Sequence, residues 1–366
     1  LKKQQKIIRN RIDERIKDVL NHGKYIMGPE VFELEKKLAE YVGVKYCISC
    51  SSGTDALLIP LLAKNVGPGD AVITTPFTYI ATAEVISLLG AEPIFVDIYP
   101  NTFNMDPKGI EQAINHAKRK GLNPKAIIPV DLFGLPARYR PIEEKAKEHN
   151  LFILEDAAQG FGGSIRDKKT GSFGHVAATS FFPAKPLGCY GDGGAIFTND
   201  KDLVQIMESI RVHGSGFDKY ENVRIGINGR LDTFQAAILL EKLAIFNEEL
   251  MERNKAAKYY SEHLISNVQK PTIPKNYFSS WAQYSLLTTS SKERFRIMSK
   301  LNKYNIPSMV YYKIPLHMQK VFENLGYSKG DFPISEGISK RIFSIPMHPY
   351  LKRKQQDKII EILNNG

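Results

Sequence analysis

The chain has 366 residues, of which 43% are hydrophobic and 24% charged, with 50 Lys+Arg against 39 Asp+Glu and a formal net charge of +11. These proportions exclude a disordered chain and a disulfide-stapled miniprotein, and they suit a large domain with a smaller companion. Three cysteines are too few and too odd in number for a secreted disulfide framework, so a reducing cytoplasm is expected.

The first segment interleaves Lys2, Lys3, Lys6, Arg9, Arg11, Arg15 and Lys17 with Ile7, Ile8, Ile12 and Ile16. That is the pattern of an amphipathic helix with a solvated basic face. No nucleic-acid motif accompanies the charge, so no nucleic-acid partner is expected. No signal peptide is expected ahead of this helix, and no apolar run is long enough to span a bilayer, so no membrane partner is expected either. Strands are predicted over 45–49, 71–74, 93–98, 126–131, 152–155, 178–182 and 194–198, with helices over 53–63, 80–89, 107–119 and 141–149 between them. Cys47 and Cys50 form a C-x-x-C at the first strand, with no second Cys or His pair at zinc spacing. They are expected to be small core residues, and no metal is expected. Beyond Asp232 the pattern becomes one long helix over 233–263, a strand near 283–288, a helix about 293–304, a strand near 309–312 and a last helix from Lys354. The expected fold is α/β. A large domain, 1–240, holds a mostly parallel seven-stranded sheet between helices, and a smaller α+β domain, 241–366, follows.

Ligands of an open α/β sheet sit at the carboxyl ends of its strands. Four polar stretches fall there: "SSGTDA" (51–56), "TPFTY" (75–79), "EDAAQ" (155–159) and "TSFFPAKPLGCYGDGGA" (179–195). In the first, Ser52, Gly53 and Thr54 open a helix, which makes either a phosphate seat or a simple N-cap. Asp156 can cap a helix or pair with a ring nitrogen. Lys185, between Pro183 and Pro186, reads alone as a surface lysine in a tight turn. Partly desolvated, it would be a nucleophile or base. Ser180 lies five residues earlier, where its hydroxyl could meet a phosphate, and Gly191, Gly193 and Gly194 either leave room for a flat group or permit an unusual backbone. A phosphate seat, an aromatic plate (Phe77 or Tyr79), a strand-end acid and a strand-end lysine, in that order, describe a pyridoxal phosphate site. A nicotinamide oxidoreductase is excluded because no G-x-G-x-x-G follows the first strand.

Across nearly its whole length the chain resembles the DegT/DnrJ/EryC1/StrS sugar aminotransferases, which are fold type I pyridoxal phosphate enzymes. The resemblance rests on "SSGTDAL", "PVDLFG", "LEDAAQGFG", "SFFPAKPLGCYGDGGAIFTND", "RVHG", "GINGRLDTFQAAIL" and "PMHPY". Around Lys185 the wording is most similar to the enzymes that aminate UDP-2-acetamido-2-deoxy-3-oxo-D-glucuronate for surface polysaccharide such as lipopolysaccharide O-antigen. The resemblance implies that Lys185 carries the covalent link to pyridoxal 5'-phosphate and then serves as general base and acid. It implies that Asp156 pairs with the pyridinium nitrogen, Gln159 with the phenolic oxygen, and Gly53, Thr54 and Ser180 with the phosphate, while Tyr79 stacks on the ring. Asn228 would reach the phosphate of a neighbouring subunit, which makes the enzyme a homodimer. Arg230, Tyr312, Lys313 and His317 would contact the substrate. L-glutamate would give the amino group and a nucleotide-linked keto sugar would take it. His213 would support the interface, and His348 is left between support and site. Where those glucuronate enzymes read His-Tyr-Pro, this chain reads Tyr311-Tyr312-Lys313, which leaves the sugar open. A 4-keto-6-deoxy sugar and a non-catalytic sensor are the alternatives.

Overall fold

The computed structural model describes residues 2–218, 220–265 and 268–365. Helices α1 (Lys2–His22) and α2 (Pro29–Val42) come first. α2 starts on Pro29, where no amide is needed, and stops at Gly43, whose left-handed φ of 87° lets its amide return to the Ala39 carbonyl. Strands and helices then alternate: β1 (Tyr46–Cys50), α3 (Gly53–Ala63), β2 (Asp70–Thr74), α4 (Ala81–Leu88), β3 (Glu92–Phe95), α5 (Ile110–Arg119), β4 (Asn123–Ile127), α6 (Tyr139–Glu148), β5 (Phe152–Asp156), the short β6 (Ser164–Ile165) and β7 (Lys168–Lys169), β8 (Val176–Ser180), β9 (Gly194–Thr198) and α7 (Lys201–Arg211). The remainder comprises α8 (Thr233–Ala244), α9 (Phe246–His263), β10 (Tyr277–Phe278), β11 (Tyr284–Leu287), α10 (Ser291–Lys303), α11 (Pro333–Ser339), β12 (Ile342–Ile345) and α12 (Arg353–Asn364).

Seven strands form one sheet in the order β1-β9-β8-β5-β4-β2-β3. Only β9 runs against its neighbours. Alternate strand residues feed opposite cores. Ile48, Leu154, Val176 and Ile196 pack with α3, α4 and α7, while Cys47, Ala177 and Phe197 pack with α2 and α8. Ile73, Ile127 and Ile153 face α5 and α6. Both faces are apolar because both are covered, which is why the strands read as continuous apolar runs. Cys47, Cys50 and Cys189 are buried, unpaired core residues.

Four expectations change, the first being the ends of β3 and β4, which stop at Phe95 and Ile127 rather than at 98 and 131. The long helix breaks at Ile245 (φ −107°, ψ 2°) into α8 and α9, although no breaker stands there. Tertiary packing decides it, because the turn drives Phe246 against Phe161, with ring centroids 5.7 Å apart. α9 then serves two cores: Phe246 and Leu250 join the sheet side, while Ala257 and Tyr260 join the cluster built from α10, β11, β12 and α12. The strand expected near 309–312 reduces to one bridge between Met309 and Ser344, and Tyr312 turns away onto Phe77. β8 ends at Ser180, two residues earlier than expected, which leaves the Ser180 side chain at the sheet's edge.

One buried ion pair anchors β1. Arg211, at the end of α7, donates from Nη1 to Glu35 Oε1 of α2 (2.6 Å) and to the Ser49 carbonyl (2.9 Å). The same Glu35 oxygen accepts from the Ser49 amide and hydroxyl, both at 2.8 Å. Arg211→Ala leaves Glu35 buried without its counter-charge and is expected to cost about 3–5 kcal/mol in urea unfolding. The pair Arg211→Met with Glu35→Gln is expected to recover most of that loss.

Candidate active site

The register of three strands assembles one end of the site. Gly194 pairs with Cys50 on one side and Ser180 on the other, so the carboxyl ends of β1 and β8 lie on the same edge with the start of β9 between them. A Cβ on Gly53 would stand 2.5 Å from Ser180 Cβ, and one on Gly194 would stand 2.3 Å from the Ser52 carbonyl oxygen. Only glycine permits either approach. Ser52 caps α3, its hydroxyl accepting from the Asp55 amide at 3.0 Å, and the Ser51 hydroxyl bonds the Asp55 carboxylate. The first amides of α3, at Gly53 and Thr54, and the Ser180 hydroxyl thus gather at a positive helix end, a seat suited to a phosphate.

Asp156 ends β5 and is almost fully buried. Its Oδ2 accepts from the Thr82 hydroxyl (2.8 Å) and its Oδ1 from the Ala158 amide (3.1 Å). Thr82 is itself held by Thr78, one turn earlier, at 3.1 Å. Burial raises the Asp156 carboxyl above its ordinary range, against the Thr82 and Ala158 hydrogen bonds and the charge of Lys185, which favour the ionised form. Lys185 is half-buried, and its amide donates to the Phe182 carbonyl at 2.8 Å to close the turn. Burial depresses the Lys185 ammonium, and the charge of Asp156 opposes that fall. The two groups therefore act on each other's charge, an acid biased toward its proton and a lysine biased away from its own.

Gln159 is fixed at both ends of its amide. Its Oε1 accepts from the Phe133 amide (3.0 Å), and its Nε2 donates to the Tyr312 hydroxyl (3.0 Å). The Tyr312 ring stands edge-on to Phe77 at 6.0 Å. Phe77 is fully buried among Phe103, Phe133 and Tyr312, so it offers no free face, whereas Tyr79 is 58% exposed. Of the two aromatic candidates, Tyr79 is the one left open to a flat ring.

The other named residues are placed less uniformly. Asn228 is exposed, and its Oδ1 accepts from Arg230 Nη2 at 2.6 Å. Next to it, the Gly229 carbonyl accepts from the Ser51 amide at 2.9 Å, which sets this loop beside the α3 end. Arg230 Nε is buried with no partner among the described residues. Lys313 is exposed beside Tyr312. His317 is buried, with Nε2 3.2 Å from Glu336 Oε1 and its ring 4.7 Å from Phe332, so its ring packs into the fold rather than toward an open surface. His213 takes a positive φ of 56°, and its amide donates to the Ile227 carbonyl at 2.9 Å. His348 lines a cavity of about 370 Å³ with the 183–188 turn, Lys242 and Arg253. Burial and the neighbouring cations hold its imidazole down at about 4.

Sequence reasoning missed Thr82 and the bond from Gln159 to Tyr312. Thr78 and Thr82 carried a signal, two hydroxyls four residues apart where the chain enters α4. The Gln159–Tyr312 contact carried none, since 153 residues separate its partners. The donor set fits pyridoxal phosphate: an anion seat at one end, a buried acid for a cationic ring nitrogen, a lysine for the carbonyl and an exposed aromatic face.

Comparison with known proteins agrees. The model of the DegT/DnrJ/EryC1/StrS aminotransferase family matches residues 6–364. A UDP-2-acetamido-2-deoxy-3-oxo-D-glucuronate aminotransferase of Pseudomonas aeruginosa is 46% identical over 366 residues, 100% of this chain and 98% of that protein. The crystal structure of a DegT DnrJ EryC1 StrS aminotransferase from Brucella abortus is 50% identical, with a TM-score of 0.95 over 99% of this chain and 96% of that one. NtdA from Bacillus subtilis, solved with bound cofactor PMP, is 31% identical with a TM-score of 0.90, covering 97% and 81% of the two chains. The chain belongs to the DegT/DnrJ/EryC1/StrS aminotransferase family, whose enzymes work with pyridoxal phosphate.

Proposed function

We propose that this sugar aminotransferase moves the amino group of L-glutamate to carbon 3 of a UDP-linked keto N-acetyl hexose or hexuronate, for surface polysaccharide. The observation that carries the aminotransferase chemistry is the facing pair of Lys185 and Asp156, each displaced by burial and each opposed by the other's charge. Bound there, pyridoxal phosphate supplies an electron sink for the carbon that gives up its proton. Asp156, held by Thr82, keeps a proton on the ring nitrogen. Lys185 Nζ takes the proton from the donor carbon of glutamate and later returns one to the sugar carbon. Its depressed ammonium suits it to both tasks near neutral pH. Gln159 uses one N–H on Tyr312 and has the other for the phenolic oxygen. The α3 amides and Ser180 hold the phosphate. The net exchange converts glutamate to 2-oxoglutarate and the keto sugar to an amino sugar.

The choice of sugar rests on the 46% identity to the glucuronate enzyme and on Lys313, an exposed cation beside Tyr312 that suits a carboxylate or a diphosphate. His317 we assign to support, because Glu336 and Phe332 occupy it. The loop that carries Asn228 supports a homodimer. Phe217 and Ile225 on that loop are exposed apolar side chains of the kind a second copy covers. No helix of the described residues is long and apolar enough to cross a membrane, and the unpaired cysteines suit a cytoplasmic setting.

Lys185→Ala is expected to abolish the glutamate half-reaction followed by cofactor absorbance; appreciable turnover would remove the lysine from its role. Thr82→Val deletes the hydroxyl that favours ionised Asp156. The Asp156 carboxyl should then rise further, moving the acid limb of the pH–rate profile up by about one pH unit; an unmoved limb would mean Thr82 does not tune the acid. A coupled assay with UDP- and dTDP-linked 3-keto and 4-keto sugars is expected to favour the UDP-3-keto acceptor. A preference for a 4-keto-6-deoxy sugar overturns the substrate assignment and leaves the chemistry intact.

A further inference from the structure

On the face of β5 opposite Asp156 the chain buries two more carboxyl groups, Asp131 and Glu155, neither with measurable exposure. Glu155 accepts from two backbone amides, Gly171 on Oε1 (2.6 Å) and Phe173 on Oε2 (2.7 Å). Asp131 Oδ1 accepts from the Ala137 amide and the Tyr139 hydroxyl, both at 2.8 Å. Asp131 Oδ2 is buried and meets no donor among the described residues. The Glu155 and Asp131 carboxyls are neighbours, and each acts on the other. Gly160 closes over the orphaned oxygen so tightly that a Cβ there would stand 2.7 Å from it. Among the described residues, the titratable groups that bear most on the pair are Tyr139 from α6 and Asp156 from β5, and Asp131 in turn acts on Tyr277 of β10. None of them is a cation.

Two ionised carboxylates in contact inside a low-dielectric core repel each other by several kcal/mol. One proton removes that repulsion and also provides the donor that Asp131 Oδ2 lacks. We propose that Asp131 and Glu155 share a single proton and, as a monoanionic pair, position Asp156 and Gln159 from behind the strand. The linkage is short. The Asp131 amide donates to the Asp156 carbonyl (3.0 Å), and the Asp156 amide donates to the Pro129 carbonyl (2.9 Å). The turn that Asp131 Oδ1 closes onto Ala137 carries Phe133, whose amide holds Gln159 Oε1. Burial raises both carboxyls, and for Glu155 the charge of Asp131 adds to the rise. The inference rests on reading Asp156 and Gln159 as cofactor contacts.

The linkage has a definite sign. In the unfolded chain both carboxyls ionise near their ordinary values of about 4. Above that pH the folded protein holds one proton more than the unfolded, so its stability falls as pH rises until the pair ionises. Asp131→Asn keeps the acceptor for Ala137 and Tyr139 and replaces the shared proton with an amide N–H. In the full-length protein at neutral pH, infrared spectroscopy is expected to show the carbonyl stretch of an un-ionised carboxyl in wild type and its loss in Asp131→Asn. From about pH 6 to about pH 9 the wild-type Tm is expected to fall about 3–5 °C further than that of the variant. Over the same range wild type should lose roughly threefold or more in affinity for pyridoxal phosphate relative to the variant. No band in wild type, or a band that the variant does not diminish, overturns the shared proton. Parallel affinity curves overturn the positioning role. A protein that shows the band but fails the glutamate half-reaction sinks the proposed function and leaves the pair standing.

Discussion

The site depends on one insertion, the antiparallel β9 between β1 and β8. Because β9 begins where both neighbours end, Gly194 faces Cys50 and Ser180 at once. The helix end after β1 and the hydroxyl at the end of β8 can then share one anion seat. This contact works only without side chains, since Cβ atoms on Gly53 and Gly194 would meet Ser180 and Ser52 well inside van der Waals distance. The glycines beyond Lys185 therefore include one that belongs to sheet packing as much as to any bound ring. They also explain why the lysine's turn is compact. The Phe181 and Cys189 amides close it by donating hydrogen bonds to the Gly193 and Phe181 carbonyls, at 2.7 and 2.8 Å.

A second constraint is the cost of burying acid at the end of an apolar strand. β5 ends in Glu155-Asp156, and both side chains are buried. Each face solves the problem with different donors. On one side a threonine hydroxyl, an amide and a distant lysine support Asp156. On the other side two amides and a second carboxyl surround Glu155. Thr82 and Asp131 come from separate elements, α4 and the segment after β4, so the acid's behaviour is set by the packing of helix and turn against one strand.

The fold was largely readable because both faces of the sheet are covered. That makes apolar runs alternate plainly with helical periods, and all seven strands were found to within a few residues. The errors lie where tertiary contacts override local preference. Ile245 breaks a helix without a breaker so that Phe246 can reach Phe161. Tyr312 leaves a potential strand to pack on Phe77. Local pattern carries no trace of either partner. Among the site residues, those next to strand ends were legible from position. Of the partners that hold them, Thr82 left only a spacing signal, and the bond from Tyr312 to Gln159 left none.

Taken by itself, the sequence determined the class of chemistry. A strand-end lysine, a strand-end acid and a glycine-opened helix in fixed order demand a cofactor with a phosphate, a ring nitrogen and a carbonyl. Tertiary structure decided which groups are free to act. It withdrew Phe77 into an aromatic cluster and left Tyr79 open. It turned His317 onto Glu336, and it placed Asp131 behind Asp156. The physical reason is burial. Side-chain identity sets what a group can do, but desolvation and the donors around it set its charge, and both come from residues far away in the chain.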